Sequence, residues 1–260
     1  MDAQLKAEIK RILVDKIQSK VRTADLSKKS WNPFVDIIFG DLSNLKSFIH
    51  GTATTLGSSY EIMARKIAKS NPEFSEAEKK VFSGRISSEE KSIIRDIVKS
   101  LEENKDGSRY ADEIQSIYSA SSKNLKEIRI TIDLYLKDKR GKEYYVEMKG
   151  PDPNKKEVRA AKEDLLNIVA MKKRTVKLKE FHKKVAVIFG VYYSNMEGEY
   201  NNWKVSPIFE NEKGILIQEE FWEFLGGKNT YSELLEIITE IRDEVVPQIK
   251  EKLKPLIDNL

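Results

Sequence analysis

Two carboxylates and an amine, Asp133, Glu147 and Lys149, stand where a pair of strands would bring them together. Ile128, Ile130, Ile132, Leu134 and Leu136 alternate with Arg129, Thr131, Asp133, Tyr135 and Lys137. That is the two-residue period of a strand with one buried face, so Asp133 is expected to point away from the core. A tip rich in charge and glycine, Lys137-Asp138-Lys139-Arg140-Gly141-Lys142, turns the chain into a second strand. There Glu143, Tyr145, Glu147 and Lys149 take one face, the wet one, and Tyr144, Val146 and Met148 the other.

Such a group suits phosphodiester hydrolysis. The reaction needs a cation that neutralises charge developing on the phosphorus oxygens and lowers the pKa of an attacking water. Magnesium takes hard oxygens and keeps several waters, so Asp133 and Glu147 suffice as carboxylate ligands, with the carbonyl oxygen of Met148 a further candidate. The Lys149 ammonium would orient the water and stabilise the pentacovalent charge. The plain alternative is an exposed hairpin with charge on its wet face.

The context favours the chemistry. After Gly150-Pro151-Asp152-Pro153 a helix is expected through about Lys173, with Val158, Ala161, Leu165, Ile168 and Val169 buried. Lys155, Lys156, Arg159 and Lys162 would face out as candidate DNA contacts. Val185 to Val191 is a continuous apolar run suited to a sheet interior. Asp133, Glu147 and Lys149, with thirteen residues between the two acids, resemble the PD-(D/E)xK nuclease signature, and strand, strand, helix, strand is that superfamily's core order. Ile132 stands where the name-giving proline would sit.

Further segments resemble type II restriction endonucleases of the TdeIII group: Asn195 with the polar loop to Trp203, Glu219 to Gly227, and Gly51 to Glu61. The likeness covers roughly residues 30 to 240. It implies an α/β fold whose restriction-endonuclease-like core is a mixed central sheet flanked by helices. It also implies a Mg2+-dependent homodimer cutting double-stranded DNA at a short site of the GGNCC kind. In the superfamily a glutamate from an early helix often joins the metal, which makes Glu61 a candidate; the alternative is a first-turn glutamate complementing the helix dipole.

Composition sets the bounds. The chain has 260 residues, 40% hydrophobic and 34% charged, enough for one large core, and a single nuclease domain over 1–260 is expected. Its parts would be a mostly helical portion (1–120), a catalytic core (125–192) and a loop with C-terminal helices (193–260). Cysteine is absent, which excludes disulfides and thiolate metal sites. Met1 to Lys20 reads as an amphipathic helix too charged for a signal peptide, and no apolar run reaches spanning length, so no membrane association and a cytoplasmic location are expected. His50 and His182 form no zinc motif, and Gly226-Gly227-Lys228-Asn229 lacks P-loop spacing, so no nucleotide cofactor is expected.

Net charge is +4, but residues 137–184 hold sixteen Lys or Arg against eight Asp or Glu, a net of +8. Positive charge gathered around the candidate hairpin is what a phosphate-backbone binder needs. Tyr192, Tyr193, Tyr200 and Trp203, interleaved with Asn195, Asn201, Asn202 and Lys204, offer stacking rings and amides for base edges; an ordinary surface loop is the alternative.

In the N-terminal portion, Ser75-x-x-Glu78 and Ser87-x-x-Glu90 resemble capping boxes, and a helix is expected over Tyr60 to Ser70. A last helix from Thr230 should kink or stop at Pro247 and serve as core or dimer contact. The reading is a type II restriction endonuclease. A structure-specific or repair nuclease, or a non-catalytic DNA-binding protein, is the alternative.

Overall fold

Strand pairing rather than local capping decides the first half of the chain. In the computed structural model, which describes residues 1–26, 42–103, 107–194, 200, 202–209 and 214–257, the elements run α1 (Ala3–Thr23), α2 (Leu42–Ser70), β1 (Phe74–Ser87), α3 (Ser88–Glu102), α4 (Tyr110–Ser119), β2 (Leu125–Asp138), β3 (Glu143–Lys149), α5 (Lys155–Lys172), α6 (Phe181–Lys184), β4 (Val185–Val191), β5 (Ile215–Ile217), α7 (Glu219–Gly226) and α8 (Thr230–Ile257). Ser75-x-x-Glu78 therefore opens no helix; it lies in β1, which pairs antiparallel with β2 from Phe74 opposite Asp138 to Ser87 opposite Leu125. Long-range pairing outweighs the local signal, and the Ser75 hydroxyl donates across the ladder to the Lys137 carbonyl at 3.0 Å. The second box does form. Glu90 N–H donates to Ser87 Oγ (3.0 Å) and Ser87 N–H to Glu90 Oε2 (2.7 Å), starting α3.

The chain forms two compact units, Ala64–Lys228 and Met1–Met63 with Asn229–Leu260. The first holds a five-stranded mixed sheet in the order β1-β2-β3-β4-β5, antiparallel as far as β3 and parallel from β3 to β5. The α5 helix crosses between the parallel pair β3 and β4, as a parallel connection requires. Val158, Ala161, Leu165, Ile168 and Val169 are buried as the helical period predicts, in one core with Ile130, Ile132, Tyr135, Tyr145, Val187 and Phe189. Gly190 on β4 is needed for close approach, since a Cβ there would lie 2.6 Å from the Phe221 ring of α7.

The alternation expected along β2 breaks at one place. Lys80 faces Ile132 while Glu78 faces Tyr135, so Lys79 alone opposes both Asp133 and Leu134. That is a β-bulge, which adds a residue to one strand and re-aims the side chains beyond it. Tyr135 consequently joins Ile130 and Ile132 in the core instead of facing solvent. It packs with Phe82 and Tyr145 at centroid distances of 5.2 and 5.4 Å. Leu134 and Leu136 are buried too, so this half of β2 has no wet face.

Lys162 corrects a second expectation. It does not face out with Lys155 and Lys156 but is buried, its ammonium 2.7 Å from Glu113 of α4. Its place on α5 is one residue from Ala161 on the buried stripe, where an amine is kept only by a partner. Replacing Lys162 by Met is expected to cost about 3–5 kcal/mol, because Glu113 stays behind as an uncompensated buried charge. The double change Lys162→Met with Glu113→Leu should recover most of it in urea unfolding. Equal loss in the single and double variants would show that the pair is not what α4 and α5 depend on.

The second unit is helical in its described residues. Leu5, Ile9, Leu13, Val14, Ile17 and Val21 form the buried stripe of α1, and Leu234, Ile237, Ile241 and Val245 that of α8. Lys6 and Glu233 tie the two helices at 3.0 Å. The α8 helix does not stop at Pro247 but runs through it and Pro255 to Ile257. A proline removes one backbone hydrogen bond without removing the apolar contacts that hold a helix to its neighbour. Among the described residues, no helix is long and apolar enough to cross a membrane.

Candidate active site

The bulge turns Asp133 toward the end of β3. Its Oδ2 accepts from the Met148 amide at 3.1 Å and the Lys149 ammonium at 3.4 Å. Lys149 Nζ also lies 3.6 Å from Glu147 Oε2, so one cation bridges both carboxylates. The three residues predicted from sequence are thus brought together by two adjacent antiparallel strands.

Their environment is drier than expected of a hairpin's wet face. Glu147 is 6% exposed, and the side chains of Asp133 and Lys149 are 14% and 27% exposed. The reason is α5, whose apolar stripe covers the face that carries Tyr145, two residues before Glu147. Burial first, and then repulsion by Asp133, pushes the Glu147 carboxyl up to about 8, against the pull of Lys149. Burial also works against the Lys149 ammonium, yet Asp133 and Glu147 outweigh it and raise its pKa, so it stays charged.

This donor set suits a hard divalent cation. Among the described residues Glu147 Oε1 is buried with no hydrogen-bond partner, and two carboxylates face one ammonium. A cation would satisfy that oxygen and relieve the repulsion. Among the described residues no three His, Cys, Asp or Glu side chains gather at metal-binding spacing, which leaves a two-carboxylate site of the kind magnesium accepts. Glu61 lies on α2 within the other unit. Met148 puts its side chain in the core, leaving only its backbone for the site.

Two further charged neighbours act on the site. Lys79, the residue opposite the bulge, places its ammonium 3.6 Å from Asp133 Oδ1. Asp164 of α5 is held above the usual carboxylate range by burial and by Glu163, and it also senses Lys149 and Asp133. A signal for Asp164 exists, for it sits three residues after Ala161 and four before Ile168, inside the buried stripe. Lys79 has none, since only the register with β2 reveals it.

The wider basic region is largely engaged within the fold. Lys172 pairs with Glu143, Lys173 and Arg174 with the buried Glu90, and Arg159 with Glu163 and Glu102. Lys155 and Lys156 remain exposed at the start of α5. Trp203, 65% exposed, has Lys155 Nζ at 4.5 Å and Lys204 Nζ at 5.9 Å from its ring centre, and all three line a cleft of about 510 Å³. Lys204 is also ion-paired with Asp152. Tyr200 and Asn202 are buried, donating to the Pro151 carbonyl at 2.9 and 3.0 Å; they brace the turn before α5 and are not free to read bases. Asn195 and Asn201 lie outside the described residues.

A family model described as "Type II restriction endonuclease, HinfI" matches residues 1–242. Over 125 residues the chain is 32% identical to the type II restriction enzyme HgiEI of Herpetosiphon aurantiacus, covering 48% of this chain and 44% of that one. Over 124 residues it is 30% identical to HgiCII of the same organism, with the same two shares. The matched stretch thus spans less than half the length of these relatives.

Proposed function

Since the chain belongs to the HinfI family of type II restriction endonucleases, we propose that it hydrolyses double-stranded DNA at a short specific site, with Mg2+ held by Asp133 and Glu147. The observation that carries this reading is the bulge at Asp133 and Leu134, beside which the buried Glu147, the partly buried Asp133 and a charged lysine lie within ion-pair distance. The bound cation supplies charge neutralisation and an acidified water. Lys149 directs its ammonium between the carboxylates, where it orients the water and meets charge growing on a phosphate oxygen. The Met148 carbonyl is the third donor offered by the chain.

Whole-chain organisation follows the same reading. Residues 1–260 act as one cytoplasmic nuclease domain, and two copies associate about a two-fold axis so that two sites face antiparallel phosphates. The resemblance to the TdeIII group makes GGNCC the first sequence to test. Digestion of a sequenced plasmid with Mg2+ should give discrete bands with fixed ends, cut on both strands by a dimer in light scattering. A smear would replace the reading with a general nuclease, and intact DNA with a binding protein.

Lys155 and Lys156 are the phosphate contacts of this reading, with Trp203 and Lys204 beside them. Changing both α5 lysines to Gln should weaken binding to all sequences and flatten its salt dependence, by roughly 0.9 log unit of slope for each phosphate no longer neutralised. Arg159, already paired with two glutamates, should contribute less. An unchanged slope in anisotropy titrations would make this face merely solvated.

A further inference from the structure

We propose that Lys79 is a displaceable counter-ion of the cleavage site, one that holds Asp133 while no divalent cation is bound and transfers to a DNA phosphate when one is. The proposal rests on the reading that Asp133 and Glu147 bind the cation for DNA hydrolysis.

The two oxygens of Asp133 are unlike. Oδ2 faces inward, fixed by the Met148 amide and Lys149, while Oδ1 faces Lys79 at 3.6 Å. Lys149 reaches both carboxylates and is only 27% exposed. The Lys79 side chain is 46% exposed, and its ammonium is long, flexible and strongly hydrated. A half-exposed ion pair of this kind is worth little, so it can be exchanged at small cost.

The backbone explains why a lysine stands there. Asp133 and Leu134 together oppose Lys79 alone, so the bulge that re-aims the carboxylate also fixes which residue of β1 lies beside it. Lys80, the next residue, pairs instead with Glu76 and Glu78 on its own strand. Lys79 and a divalent cation held by Asp133 would therefore compete for its carboxylate, since both are cations. Displaced from Asp133, Lys79 keeps its charge at the edge of a site into which a phosphodiester must come, and a phosphate oxygen there takes the place of the carboxylate oxygen among its contacts.

Competition and phosphate binding predict effects of opposite sign. Lys79→Met keeps the stem and removes the charge. In the DNA-free protein, calorimetric titration with Mn2+ should show affinity raised about two- to fivefold, the scale of one half-exposed ion pair. DNA binding by anisotropy in Ca2+ should weaken by a comparable factor, with the salt slope reduced by roughly 0.9 log unit. Lys79→Arg should restore both properties toward the natural protein, and a lysine that served only to hold the strands would not move the two in opposite directions. Unchanged or weaker Mn2+ binding in Lys79→Met would overturn the exchange, and an unchanged salt slope would overturn the transfer to phosphate. Failure of the natural protein to cut any DNA would sink the cleavage reading instead, and the Mn2+ titration would still decide whether Lys79 competes.

Discussion

Substituting Glu147 by Gln is expected to lower DNA cleavage by about a hundred- to ten-thousand-fold while leaving a folded protein that binds DNA. Glutamine matches glutamate in volume, which matters because Glu147 is buried and Ala would leave a void beside Tyr145. Asp133→Asn and Lys149→Met should fall as far. The three side chains contact one another, so they act as one unit and their losses should be strongly non-additive. Single-turnover cleavage, with anisotropy as the binding control, measures this directly. Near-natural cutting by Glu147→Gln or Lys149→Met would remove these residues from the reaction. Met148→Leu should be well tolerated, since its buried side chain needs only similar volume.

How much of this site is legible in the sequence depends on whether a signal is local. Asp133, Glu147 and Lys149 can be found because strand period and spacing put them on adjacent strands, and α5 because its apolar stripe is long and regular. The core order is legible for the same reason, whereas the edge strand β1 is not. Ser75-x-x-Glu78 reads as a helix start, and only pairing with β2, about sixty residues away, makes it a strand. The bulge is invisible as well, because an unbroken alternation of types runs from Ile128 to Leu136; it is set by the partner strand, and with it go the burial of Tyr135 and the position of Lys79. Charge misleads in a different way. The excess of lysine and arginine over residues 137–184 is real, yet Lys162, Lys172, Lys173 and Arg174 are held by glutamates whose own positions lie outside the local pattern. Counting cations finds a basic region, but only their partners tell which of them can meet DNA.

Divalent-cation binding to the DNA-free protein is expected to strengthen steeply with pH and to release close to one proton near neutrality. Glu147 is pushed up to about 8 by burial and by Asp133, so below that pH the pair carries a proton which a cation must displace. Affinity should then rise roughly tenfold per pH unit toward pH 8 and level off above it, since one proton leaves for each cation bound. Stability carries the opposite sign. A carboxyl whose folded pKa lies above its ordinary value of 4.5 binds its proton more tightly when folded, so its contribution is fully present below that value and is lost as pH rises to about 8. Bound cation should offset that loss. The cation-free protein should therefore melt at falling temperature between pH 5 and 8, approximately the window these values define, and Mn2+ should restore the difference most at the alkaline end. Calorimetry in buffers of different ionisation enthalpy counts the protons, and Glu147→Gln should abolish both the release and the pH slope. Cation affinity that is flat from pH 6 to 8 in the natural protein would mean that Glu147 is already ionised and that the repulsion between the two carboxylates is not the force that prepares this site for a metal.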